Sequence, residues 1–207
     1  MPPATVPPET VPPETVAAPA TSSYAFLGFD PTGSPIGWSS CAPIPYQVDF
    51  NGAPQTAVQD VATAISDLSA ASGYTFTYEG TTSDMPGPVR ANEAMAGQVA
   101  PLLIAFLNSS SGEERGTGGV EWAGPAGGRE KVVYGYAIID SSVEASPGYG
   151  PDAFEGAILL HELGHAMGLA HPPDPNEIMW PTIVDGGPRN YEAGDRAGLA
   201  VLHDEPC

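Results

Sequence analysis

The run His161-Glu162-Leu163-Gly164-His165-Ala166-Met167-Gly168-Leu169-Ala170-His171 restricts the fold of this chain more than any other stretch. Its first two histidines are four residues apart, so on a helix they share one face and can reach the same ion, with Glu162 beside them. Gly168 can end that helix in a left-handed conformation and turn the chain back, which brings His171 in from a third direction. Three neutral imidazoles around Zn2+ leave one tetrahedral position for a water, whose pKa the metal lowers towards ~7, and Glu162 is placed to act as general base. With 4 His and 25 Gly in 207 residues, chance would set these residue types at these offsets on the order of once in 10^5 such chains.

Two plainer readings compete. Histidines satisfied inside a core would require three to be buried together without a metal. A structural zinc site closes all four positions, often with Cys, yet Cys41 and Cys207 lie in no metal-type spacing near the cluster.

The same residues fit H-E-x-x-H-x-x-G-x-x-H, and Glu177-Ile178-Met179-Trp180-Pro181 follows after a short acidic, proline-rich loop. On these motifs the chain resembles the metzincin metallopeptidases, and the matrixin branch in particular. The resemblance implies an α+β, zincin-like fold: a twisted, mostly parallel sheet with an antiparallel edge strand, a buried active-site helix and a C-terminal helix. It also implies one catalytic Zn2+ on His161, His165 and His171, Glu162 as catalytic residue, and Met179 in a turn beneath the ligands. Gly118 to Ala123, and within it Gly119, Val120, Glu121 and Trp122, resembles the edge strand that pairs with an extended peptide substrate. An ordinary glycine-rich loop is the other reading of that segment.

Asp195-Arg196-Ala197-Gly198-Leu199 resembles the end of a matrixin catalytic domain, with Gly194 in place of one of two acidic residues. That replacement implies a thinner network between the last helix and the methionine turn. Pro172 stands where matrixins commonly carry Ser, and no histidine lies between 116 and 145, so a second, structural zinc is not expected. The inhibitory cysteine peptide of that family is absent from residues 1 to 40, and Pro181 replaces the tyrosine that is an extra ligand in some metzincins.

Periodicity supplies the rest of the frame. Tyr46 to Phe50 and Tyr74 to Tyr78 alternate apolar with polar, as half-buried strands do. Between them, from Pro54 to Ser72, Val58, Val61, Ile65 and Leu68 recur at helical spacing and Gly73 supplies a stop. Strand, helix, strand points to a parallel crossover. Leu102 to Leu107 is continuously apolar, which predicts a strand buried on both faces, and Lys131 to Asp140 is the next strand. Asp152 and Glu155 have capping-box spacing, so the helix of the histidines is expected from Asp152 to about Gly168, almost wholly apolar and therefore buried. A last helix is expected from about Tyr191 to His203, with His203 near the surface at its end.

Residues 1 to 23 repeat Val-Pro-Pro-Glu-Thr and are expected to form an extended spacer, leaving 24 to 207 as a single catalytic domain. The start lacks a basic and then apolar signal pattern, so any export signal is expected to precede this numbering, and no apolar run is long enough to cross a bilayer. Cys41 and Cys207 bracket the domain; a disulfide between them implies a secreted, extracellular protein, and free thiols are the alternative. A net charge of −19 excludes nucleic acid and anionic membrane as natural partners. A protein or peptide substrate and a monomeric chain are the expectation. Ca2+ is a further candidate cofactor, with Asp140, Glu144, Asp174 and Asp185 in loops of suitable type. The function expected is a zinc-dependent endopeptidase; an inactive zinc-binding relic and a hydrolase of non-peptide amides stay open beside it.

Overall fold

The computed structural model describes residues 23–85, 100–107, 115–141, 148–149 and 153–204. All but the last residue of the expected spacer lies outside this range. In chain order the elements are β1 (Ala25–Phe26), β2 (Ile44–Asp49), α1 (Ala57–Ser72), β3 (Phe76–Thr81), β4 (Leu102–Leu107), β5 (Gly116–Ala123), β6 (Lys131–Asp140), α2 (Glu155–Met167), β7 (Leu169–Ala170) and α3 (Ala193–His203). Five of the strands form one sheet in the order β3-β2-β4-β6-β5. β2, β3, β4 and β6 run parallel, and β5 pairs antiparallel with β6 along an edge. This is the α+β, zincin-like arrangement expected, with the antiparallel strand at the expected place.

The apolar run of β4 explains its central position. Leu102, Ile104 and Phe106 enter the main core under the helices, while Leu103 and Ala105 join Tyr134 in a smaller cluster on the other face. α1 connects the parallel neighbours β2 and β3 and ends on Gly73 at φ 81°, a left-handed conformation that L side chains rarely adopt. Its buried stripe is Ala57, Val61, Ala64, Ile65 and Leu68. Val58, expected on that stripe, is 67% exposed, because Ala57 in the first turn takes the inward position. Tyr74, expected to open the third strand, lies before it; its buried hydroxyl donates to the carbonyls of Trp38 and Leu202 instead.

Every residue of α2 is buried, as its composition requires. The helix begins at Glu155 rather than Asp152; Phe154 holds the N-cap without a side-chain hydrogen bond, and Asp152 lies outside the described residues. Buried donors from distant elements fix it: Trp38 Nε1–H donates to the Ala166 carbonyl at 2.8 Å and the Tyr191 hydroxyl to that of Leu160 at 2.7 Å. α2 also lies against β5 so closely that side chains are excluded there. A Cβ on Gly118 would come within 2.3 Å of the Glu162 carbonyl oxygen, and one on Gly116 within 2.7 Å of the Glu162 carboxylate. The glycines of the edge strand therefore set how near the helix of the histidines can come.

Candidate metal centre and cleft

Helix periodicity puts His161 and His165 on one face of α2, and Gly168 at φ 114° ends the helix and reverses the chain. The two residues that follow form β7, which pairs antiparallel with β1 through Leu169–Phe26 and Ala170–Ala25. That pairing fixes the path by which His171 returns. The three Nε2 atoms converge: 3.1 Å between His161 and His165, 3.0 Å between His165 and His171, and 3.2 Å between His161 and His171.

Backbone carbonyls set the tautomers. His161 Nδ1 lies 2.7 Å from the Ile178 oxygen and His165 Nδ1 2.8 Å from the Leu169 oxygen, so each Nδ1 carries the proton and donates it. The Nε2 atoms of both then face each other as bare lone pairs. Lone pairs at this spacing repel unless a cation lies among them, and an ion with Zn–N bonds of ~2.0 Å needs its ligands about 3.3 Å apart. The donor set therefore fits Zn2+ in number, chemistry and spacing. Desolvation favours the neutral, metal-competent rings as well. It pulls His165 down to about 4, helped by His161, and lowers His161 and His171 below their ordinary 6.5. His171 is the exposed member of the trio.

Met179 is 1% exposed in the turn that follows, and its sulfur lies where a Cβ on Gly164 would be, 2.2 Å away. Gly164, between the two helical ligands, thus lets the methionine turn close directly under them. The same turn supplies Ile178, whose carbonyl holds His161. Asp195, wholly buried at the start of α3, accepts hydrogen bonds from the N–H groups of Ile178 at 2.8 Å, Met179 at 3.4 Å and Glu192 at 3.0 Å. Burial raises its pKa to about 6.

Glu177 completes the link by accepting from the Gly194 and Asp195 N–H groups at 2.9 and 2.8 Å. The network expected to be thinner is therefore fully made. Gly194 belongs to it, since a Cβ there would lie 2.6 Å from the Glu177 carboxylate and 2.4 Å from the Ser23 carbonyl. Sequence reasoning passed over Glu177 and Gly164, although Glu177 sits two residues before Met179.

Glu162, 7% exposed, borders a cleft of about 460 Å³ together with the three histidines. Its far wall is Pro181, Thr182 and Ile183, and its near wall is Arg115 and the start of β5, Gly116 to Gly118. β5 is the expected edge strand, yet the four residues singled out on it lie beyond the cleft. Gly119 is buried against Tyr136, Val120 and Trp122 are half-buried, and Glu121 points outward. Trp122 rests on Gly28 of the N-terminal segment.

Of the acidic residues weighed for Ca2+, Asp140, Asp174 and Asp185 form no metal-holding group among the described residues. Asp174 closes its own turn on Asn176, and Glu144 lies outside the described residues. Among the described residues the three histidines are the one group of metal-ligating side chains drawn together. His203 stands apart, edge-on to the Tyr74 ring at 4.9 Å. Cys41 lies at an exposed turn before β2, and Cys207 lies outside the described residues.

Comparison with known proteins agrees with this site. Residues 149–204, from the approach to α2 to the end of α3, match the Matrixin family model. Human (Homo sapiens) matrilysin is 50% identical over 45 residues, 21% of this chain and 17% of that protein. Macrophage metalloelastase of Oryctolagus cuniculus is 32% identical over 127 residues, 58% of this chain and 26% of that protein. The chain thus spans about a quarter or less of the length of these relatives. Among solved structures, archaemetzincin from Methanopyrus kandleri superposes with a TM-score of 0.49 at 18% identity, covering 76% of this chain and 93% of that one. The three-histidine centre and the matched segment resemble those of the metzincin zinc metallopeptidases. The stretch carrying the site is matrixin-like.

Proposed function

We propose that the chain is a zinc-dependent endopeptidase that hydrolyses peptide bonds in extended segments of protein substrates. The observation that carries this reading is the convergence of three Nε2 atoms, two of them on rings whose tautomer a backbone carbonyl fixes, beside a buried glutamate at the floor of an open cleft. His161, His165 and His171 would hold Zn2+, which as a Lewis acid polarises a carbonyl and makes water nucleophilic near neutral pH.

Glu162 accepts the proton of the attacking water and passes it to the leaving amine. Held between the start of β5 and the histidines, its carboxylate has little freedom to leave the cleft floor. The edge of β5 that does not pair with β6 offers main-chain groups to an added strand, which favours extended peptides whatever their side chains. The matrixin match over residues 149–204 supports the same reading.

The reading extends to a secreted, monomeric enzyme with a Cys41–Cys207 disulfide bracketing its catalytic domain. The Tyr74 hydroxyl supports that bridge by holding together the carbonyls of Trp38, just before Cys41, and Leu202, just before Cys207. The test is digestion of denatured casein. Cleavage should be abolished by a chelator and restored by Zn2+ alone; cleavage that persists in chelator, or none from zinc-loaded protein, would refute the proposal.

A further inference from the structure

Only 6 of the 207 side chains are Lys or Arg, against 25 acidic ones, so a basic residue in the cleft is out of keeping with the rest of the chain. Arg115 lines the cleft in the position directly before Gly116, the glycine that fits against the Glu162 carboxylate. Its backbone is fixed, because its carbonyl accepts the Asp140 N–H at 2.9 Å where β5 meets the end of β6. Its side chain is exposed, and the guanidinium carbon lies 5.6 Å from the centre of the Phe154 ring.

A second guanidinium stands on the same ring, that of Arg189 at 4.6 Å. Arg189 also donates to the carbonyls of Val184, Gly187 and Pro188, so it ties down the loop that continues from the opposite wall, Pro181 to Ile183. One aromatic side chain just ahead of α2 thereby gathers two positive charges at one end of the cleft. The Arg189 Nη1 and Nη2 groups donate to the loop, whereas Arg115 forms no ion pair among the described residues.

Resting on the peptidase reading above, we infer that Arg115 is a specificity-determining residue that selects substrates with an acidic side chain close to the scissile bond. A strand laid along the edge of β5 would bring a substrate side chain within reach of the guanidinium on the side of Glu162 where β5 begins. A Glu or Asp there would pair with Arg115, and a chain so acidic elsewhere offers such a side chain few other favourable positions.

The test compares peptides of one sequence that carry Glu or Gln at successive positions around the cleavage site, assayed as kcat/KM with zinc-loaded protein. An exposed pair of this kind should favour Glu over Gln by about fivefold at one position on one side of the bond, and the preference should vanish at high salt. In Arg115→Gln the ratio should fall to near one, and in Arg115→Glu it should invert. Equal cleavage of the Glu and Gln peptides by wild type overturns the inference and leaves the peptidase reading standing. A preference that survives in Arg115→Gln overturns it in the same way. Failure to cleave any of the peptides would sink the peptidase reading, and the inference with it.

Discussion

Within the cleft the separate roles of neighbouring residues can be told apart. Glu162 and the histidines are adjacent in sequence but differ in what they do, since only the imidazoles present lone pairs to a common point. Glu162→Ala should therefore retain one zinc per chain while losing ~10^2- to 10^4-fold in casein hydrolysis, the range of a lost general base. A variant that cleaves casein at the wild-type rate would remove Glu162 from its assigned role. The ligands were legible in the sequence because their spacing is a property of one helix and one glycine. What holds them was not: the partners of His161 and His165 are the carbonyls of Ile178 and Leu169, and a backbone acceptor has no letter. The cleft meets β5 at Gly116 to Gly118 rather than at Gly119 to Trp122, because the point where α2 crosses the strand is set by the close approach at Gly116 and Gly118, which a resemblance of the strand as a whole does not locate.

Among the elements, the methionine turn, α2 and α3 behave as one unit. Met179 closes on Gly164, Ile178 orients His161, and Asp195 with Glu177 ties the turn to the start of α3. Gly164→Ala should displace the turn, because its new methyl group would overlap the Met179 sulfur. The expected cost is ~1–3 kcal/mol of stability, together with weaker zinc binding from the loss of the Ile178 acceptor. Thermal unfolding and zinc competition titrations should move together; an unchanged zinc affinity would separate the turn from the site. β4 and β6 were read from the sequence with their observed bounds because apolar runs of strand length identify themselves. β1 and β7 escaped notice: two-residue strands exist only through each other, across more than a hundred residues of chain.

For the molecule as a whole, two sets of buried groups set opposing pH dependences. Burial lowers His165 to about 4, from an ordinary 6.5, so between those values the native chain binds fewer protons than the unfolded one. Stability from this source is present above 6.5 and is lost as the pH falls towards 4. Burial, and then Asp60, raises Glu155 from 4.5 to about 7, so there the native chain binds more protons and stability is lost as the pH rises through that window. Both carboxylates are buried, and Asp60 Oδ2 and Glu155 Oε1 have no hydrogen-bond partner among the described residues. In metal-free protein Glu155→Gln should raise Tm above the wild-type value at about pH 8 and leave it nearly unchanged near pH 4. Equal Tm values at both pH values in scanning calorimetry would mean that Glu155 carries no such penalty. The acidic composition gave the surface charge at once but not this pair, since pairing across α1 and α2 depends on how the helices meet.

Whether three imidazoles hold one zinc ion beside Glu162 is read from elemental analysis of the protein after zinc loading and exhaustive dialysis. The geometry predicts one zinc per chain for wild type and Glu162→Ala, and none retained by His165→Ala. Wild-type protein that keeps no stoichiometric zinc, or a His165→Ala variant that keeps all of it, would mean that the three imidazoles do not hold the ion.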